Sequence, residues 1–256
     1  ESEEWTLEAA LDTASGAPPA DPAKPFVTLL ALGSEELLLS YVDEAGELVS
    51  YRFEGGLQAL AAPAVDSRVG QLDGAALSSG AADSGRAVLV YEDQDGLSTL
   101  NAYASVWSGT GWSPRTQLFA GGENLEGNGS LAAAIDPVSE TISIASARGD
   151  RLTLMDETGE TIASSGDASF PGTPDPSAPR VAVAAEAGVA SFFYVDGVVE
   201  SGLVAQYDVA AGQWSRFGPD DFTQNPAPSI LSLAAGGGKL FAAYEDGTAT
   251  RMRAYQ

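Results

Sequence analysis

With no His and no Cys among 256 residues, the chain has carboxylates, a few cations, hydroxyls and aromatic rings with which to do chemistry. Histidine acid/base catalysis, Ser-His and Cys-His nucleophiles, and imidazole or thiolate metal sites are thereby excluded. The densest carboxylate cluster is Tyr91-Glu92-Asp93-Gln94-Asp95-Gly96, where Asp93 and Asp95 stand at the two-residue spacing of calcium-binding loops. A third acidic ligand is missing, and the residues near the twelfth loop position, Ser105 and Val106, are not acidic, so the EF-hand pattern is incomplete. Asp93 and Asp95 stand as candidate calcium ligands. No other cofactor is expected.

Variants of this acidic stretch recur: SYVDEAG at Tyr41, FFYVDG at Tyr194 and AAYEDG at Tyr244. Tyr41 to Tyr91 is 50 residues, Tyr91 to Tyr194 is 103, and Tyr194 to Tyr244 is again 50. The copy due near residues 142–146 keeps its alternation as ISIAS but has no Tyr and no acidic turn. Asp43, Glu92, Asp93, Asp95, Asp196 and Asp246 are therefore expected on one face, as a rim for a ligand or as good hairpin-turn chemistry.

A period near 50 residues implies a propeller or array, and each unit divides into four short β-rich runs. The first reads FVTLLAL (26–32), ELLLSYV (36–42), ELVSYRF (47–53) and LQALAA (57–62). The second reads GAALSS (74–79), RAVLVYE (86–92), LSTLNAYASVW (97–107) and WSPRTQLF (112–119); the third, SLAAAI, TISIAS, RLTLM and ETIAS. The fourth reads RVAVAA, VASFFYV, GLVAQYD and QWSRF, and the fifth has only SILSLAA, KLFAAYE and TRMRAYQ. The fifth is one strand short. Glu4-Trp5-Thr6-Leu7 matches the Trp-Ser openings at Trp112 and Trp214, and 256 − 214 + 5 gives 47 residues, one unit. The expectation is an all-β, five-bladed β-propeller of four-stranded antiparallel blades, with the N-terminal strand completing the last blade. One domain spans 1–256: residues 1–11 supply the outer strand of blade 5, followed by blade 1 (24–65), blade 2 (66–120), blade 3 (121–170), blade 4 (175–220) and the inner strands of blade 5 (226–256).

The stretches VLVYEDQDG…SVWSGTGWS and QYDVAAGQWS resemble secreted bacterial propeller repeats. Five-bladed proteins of similar architecture include tachylectin-like lectins and several glycoside hydrolase families. The resemblance implies a fold, and that fold is shared by binders and catalysts. A tachylectin-like lectin repeats one site in every blade, whereas these blades differ in loop length.

Glycoside hydrolysis needs two facing carboxylates, which five-bladed hydrolases place on or beside the innermost strands. Here those strands hold no acid; Asp73 precedes the second, while Asp136 and Glu186 follow the third and fourth and fall on one face. SVWSGTGW has the Gly and Trp of a sialidase box without its Asp. Both observations weigh against an enzyme. Most aromatics recur with the blade period and belong to packing, whereas Phe170 and Phe222 sit in loops without a repeat partner and are candidates for ligand contact. Arg180 and Lys24 come just before innermost strands, where they can receive an anionic ligand or neutralise the acidic rim.

Twelve cations against 36 acids give 12 − 36 = −24, which repels nucleic acid and anionic membrane surfaces. No run approaches 18 apolar residues, so no helical membrane insertion is expected. The start at Glu1 fits a processed exported protein or a trimmed chain, of which export is the expectation, and Asn128-Gly129-Ser130 matches a glycosylation sequon. The expected protein is an extracellular or cell-surface monomer, a non-enzymatic module binding a glycan or protein through the b–c turns and inter-blade loops. A glycoside-active enzyme and a purely structural domain are the alternatives.

Overall fold

The computed structural model describes residues 27–33, 36–42, 48–62, 77–83, 85–95, 99–119, 131–177, 180–218, 223, 231–245 and 249–255, and every regular element among them is a β-strand. Blade 1 contains β1 (Val27–Ala31), β2 (Leu37–Val42), β3 (Leu48–Phe53) and β4 (Leu57–Leu60). Blade 2 contains β5 (Leu77–Asp83), β6 (Arg86–Asp95), β7 (Thr99–Trp107) and β8 (Thr116–Phe119). Blade 3 contains β9 (Leu131–Ile135), β10 (Ile142–Arg148), β11 (Arg151–Met155) and β12 (Thr161–Ser164). Blade 4 contains β13 (Val181–Glu186), β14 (Val189–Asp196), β15 (Ser201–Asp208) and β16 (Gln213–Phe217). Blade 5 contains β17 (Leu231–Gly236), β18 (Lys239–Glu245) and β19 (Thr250–Tyr255). Each sheet is an antiparallel meander in chain order, and the first strands of successive blades lie side by side from β1 through β5, β9 and β13 to β17. The chain is a five-bladed β-propeller.

Residue size explains the arrangement. The innermost strands must approach one another about the axis, and β9 and β13 are rich in Ala, which permits it: LAAAI is buried throughout and VAVAAE all but its last residue. Larger side chains sit farther out on the alternating faces of the second and third strands, forming four apolar clusters between successive blades. The cluster between blades 3 and 4, for example, joins Ala132, Ala134, Ala145 and Leu154 to Val183, Phe192, Tyr194 and Trp214. Burial of each large side chain stabilises by about 1.5–3 kcal/mol. Between the last blade and the first the side chains are more open, with Leu29 62 %, Phe241 38 % and Met252 77 % exposed.

The recurring Tyr has a fixed place in the fold. Tyr41, Tyr91, Tyr194 and Tyr244 each lie opposite the first residue of the innermost strand, and all four are buried. In blade 3 the same position, opposite Leu131, is the buried Ser146. There the hairpin between β10 and β11 shrinks to Gly149-Asp150, with Gly149 at φ 54°.

Two sequence-based boundaries are corrected. The innermost strand of blade 2 is Leu77–Asp83, not 74–79: the Ser-Gly-Ala-Ala-Asp that reads as a turn continues the strand, and the turn is carried by Gly85 at φ 83°. The fourth strand of that blade begins at Thr116, because Pro114 has no N–H to pair and only Trp112 bridges back, to Trp107. The expected N-terminal outer strand of blade 5, residues 1–11, lies outside the described residues.

Candidate functional site

Of the rim candidates, Asp196 is defined in most detail, and its surroundings derive from a strap formed by residues 171–175 of the connector entering blade 4. Pro174 bridges Asp196, the Asp175 amide donates to the Val195 carbonyl (3.0 Å) and the Gly197 amide to the Thr173 carbonyl (2.8 Å). The Asp196 carboxylate holds both partners: Oδ2 accepts the Thr173 amide at 2.7 Å, and Oδ1 accepts the amides of Val198 (2.9 Å) and Val199 (3.0 Å). Asp196 is buried, its oxygens filled by backbone donors. The Tyr194 hydroxyl donates to the Pro171 carbonyl at 2.6 Å. Burial pushes that hydroxyl well above its ordinary pKa, the Asp196 charge adds to the rise, and Arg216 offsets part of it. At Gly172, with φ 127°, an added Cβ would lie 2.5 Å from the Tyr194 hydroxyl and 2.6 Å from Asp196 Oδ2. Only glycine fits at this point of the strap.

Phe170 belongs to the same assembly. Its ring stands 5.5 Å from Tyr194 and 4.9 Å from Trp214, half-buried against the cluster between blades 3 and 4. Trp214 is fixed in turn by its indole N–H, which donates to Asp167 Oδ2 at 3.1 Å. The structure thus gives the loop aromatic a packing role.

Arg180 is half-buried immediately before β13. Glu92, Asp93 and Asp95, expected in a turn, occupy strand positions: β6 runs through Asp95, and their register partners in β7 are Ala102, Asn101 and Thr99. Asp43, Phe222 and Asp246 lie outside the described residues, as do Lys24 and Asp73. Among the described residues no group of three or more acidic side chains is placed to hold a metal ion.

On the opposite face, the turns between first and second strands, the two acids weighed as a hydrolytic pair occupy equivalent positions in successive blades. Each accepts backbone amides from the next blade. Asp136, 1 % exposed, follows β9 and accepts the amides of Val138 (2.8 Å) and Ser139 (3.4 Å) in its own turn. It also accepts Ala187 (3.0 Å) and Gly188 (2.6 Å) from the turn of blade 4. Glu186 ends β13, and its Oε1 accepts the Gly238 amide of blade 5 at 3.3 Å. The series extends to blade 1, where the Leu32 carbonyl accepts the Gly85 amide of blade 2 at 3.1 Å. Burial raises the Asp136 pKa, but the amides of Gly188 and Val138 and the hydroxyl and amide of Ser139 outweigh it and bring it to about 2. A carboxylate in that state is a permanent anion and a poor proton donor at neutral pH.

Sequence reasoning missed this clamp, since the donors are backbone groups 51 and 52 residues away. It also missed the apolar tip that Asp196 holds in place. Val198 and Val199, in the turn after β14, are 75 % and 47 % exposed on the rim face, with Glu200 at φ 51° closing the turn.

No protein-family model and no curated protein matches the sequence. Solved structures do match the fold. A xylan β-1,4-xylosidase from Bacillus halodurans C-125 superposes with a TM-score of 0.50 at 10 % identity, covering 88 % of this chain and 50 % of that one. The chain therefore spans half the length of that enzyme. The Aleuria aurantia lectin, a six-bladed β-propeller that recognises fucose, gives 0.52 at 16 % identity, covering 90 % of this chain and 75 % of the lectin. The Hadza microbial sialidase Hz136 gives 0.52 at 13 % identity, covering 95 % and 57 %. The likeness is one of fold. It joins hydrolases and lectins alike, so function must be argued from the side chains of this chain.

Proposed function

We propose that the protein is an extracellular or cell-surface binding module. It acts without catalysis and recognises a glycan or a protein through the face formed by the b–c turns and inter-blade connectors. The observation that carries this reading is the hydrogen-bonded rim of blade 4. The Asp196 carboxylate is saturated by three amides, and the tip it holds presents Val198 and Val199 to solvent. A preorganised apolar tip loses little entropy on binding. The net charge of −24 favours neutral or cationic partners over nucleic acid and anionic lipid. The lectin of similar fold supports testing glycans first.

A glycan array and a pull-down, each with the wild-type chain and with Val198→Ser/Val199→Ser, test the proposal. The variant should retain its melting temperature and lose roughly tenfold or more in affinity, the scale of about 1.4 kcal/mol of apolar contact. Undiminished binding by the variant would remove the rim of blade 4 from the account. Silence of the wild-type chain in both assays would leave a structural domain.

A further inference from the structure

A second apolar strip lies on the face opposite the rim, across the turns of blades 3 and 4. Val138, in the turn after β9, is 71 % exposed, and Val209, in the turn after β15, is 49 % exposed. Hydrogen bonds join these turns through the one after β13. Asp136 Oδ1 accepts the amides of both Val138 (2.8 Å) and Ala187 (3.0 Å), and the Gly188 carbonyl accepts the Val209 amide at 3.1 Å. Pro137, Ala187, Ala210 and Ala211 are exposed as well, so apolar groups run from blade 3 across blade 4. Ala187 follows β13 with φ 52°, whereas Gly237, which follows β17 in blade 5, holds the like conformation at φ 63°. Blade 4 thus keeps an exposed methyl where the backbone favours glycine. A single exposed valine is ordinary; a contiguous strip held by hydrogen bonds is a contact surface.

Charge specifies the partner. Glu140, Glu186 and Asp208 belong to the same turns, and Glu157 and Glu160 stand in the turn between β11 and β12 on the same face. None of these turns contains Lys or Arg. Arg86, at the start of β6, is engaged by the Glu140 carbonyl at 2.7 Å and by Glu157 at 3.7 Å. We infer that this strip docks a basic protein segment, whose apolar side chains cover Val138 and Val209 while its Lys or Arg side chains face Glu140, Glu186 and Asp208. The local acids and the net charge of −24 speed the encounter, and the apolar strip supplies the contact that holds. Because Asp136 fixes two of the turns beforehand, little order is lost on docking. The strip and the rim lie on opposite faces, so each can be occupied and tested without the other.

The probe is a short fluorescein-labelled peptide of alternating Lys and Leu, titrated with the full chain at about 0.15 M salt, where charge attraction reaches only about 8 Å. The wild-type chain should raise its anisotropy to saturation. Val138→Ser/Val209→Ser should keep its melting temperature and bind roughly tenfold or more weakly. Ala187→Gly should raise the melting temperature yet weaken binding, since it relieves the backbone and removes a contact methyl. Val198→Ser/Val199→Ser, on the other face, should bind the peptide as the wild type does. In the wild-type complex, hydrogen exchange should slow at the amides of Val138, Ala187 and Val209. The proposal is overturned by the absence of saturable binding, by equal affinity of Val138→Ser/Val209→Ser, by equal binding of a Lys-Ser peptide of the same charge, by tighter binding of a Glu-Leu peptide, or by slowed exchange confined to Val198 and Val199.

Discussion

The Asp136 carboxylate ties blade 3 to blade 4 through backbone amides of both. In sequence it is an acid at the end of an innermost strand, available to pair with Glu186. In the structure its two oxygens join the turns of two blades through amides of residues 138, 139, 187 and 188. Its folded pKa of about 2 lies below the ordinary carboxyl value of 3.8, so the unfolded chain binds more protons between those values. The associated stability is fully present above about pH 4 and is lost as pH falls through about 2. The difference corresponds to on the order of 2 kcal/mol. Asp136→Ala should cost about 3 kcal/mol at neutral pH, because it leaves buried amides unpaired. Urea melts at pH 7 and pH 2.5 check both statements: the gap between wild type and variant should narrow in acid, and a constant gap would refute the linkage. Phe170, a solitary loop aromatic in sequence, packs beside Tyr194 and Trp214.

At the scale of elements, the strands were legible wherever apolar residues alternate or run between Gly- and Asp-rich turns. β11, β16 and β18 fall at their expected limits. The innermost strand of blade 2 was misplaced because LSSGAAD has little alternation, and Gly80 within it imitates a turn. The strap of residues 171–175 was not legible as an element: a connector rich in Pro and Gly shows no period, and its register is set by contact with β14. Gly172 gives it a test. Gly172→Ala must place a methyl against Tyr194 and Asp196 at a positive φ, which should destabilise the protein by about 2 kcal/mol. Hydrogen exchange should quicken at the amides of Thr173, Val198 and Val199, while the strands of blades 1 and 2 keep their protection. Unaltered exchange at those three amides would show that the strap does not depend on this close approach.

For the whole molecule, the 50-residue period carried the architecture, because each repeat is one blade and its faces must stack on the next. Function was less legible, since it depends on side chains that differ between blades. The net charge of −24 is a property of this scale too. Self-repulsion is felt over about 30 Å at 0.01 M salt and about 8 Å at 0.15 M, so the melting temperature should rise between these conditions. A fall would mean that ion pairs such as Arg52–Glu36 outweigh repulsion. Recognition without chemistry, as proposed for this protein, is tested most directly by product analysis. Fucosylated, sialylated and xylan-derived oligosaccharides are incubated with the protein and followed by mass spectrometry. The account predicts every oligosaccharide recovered intact; release of a monosaccharide at a rate proportional to protein concentration would contradict it.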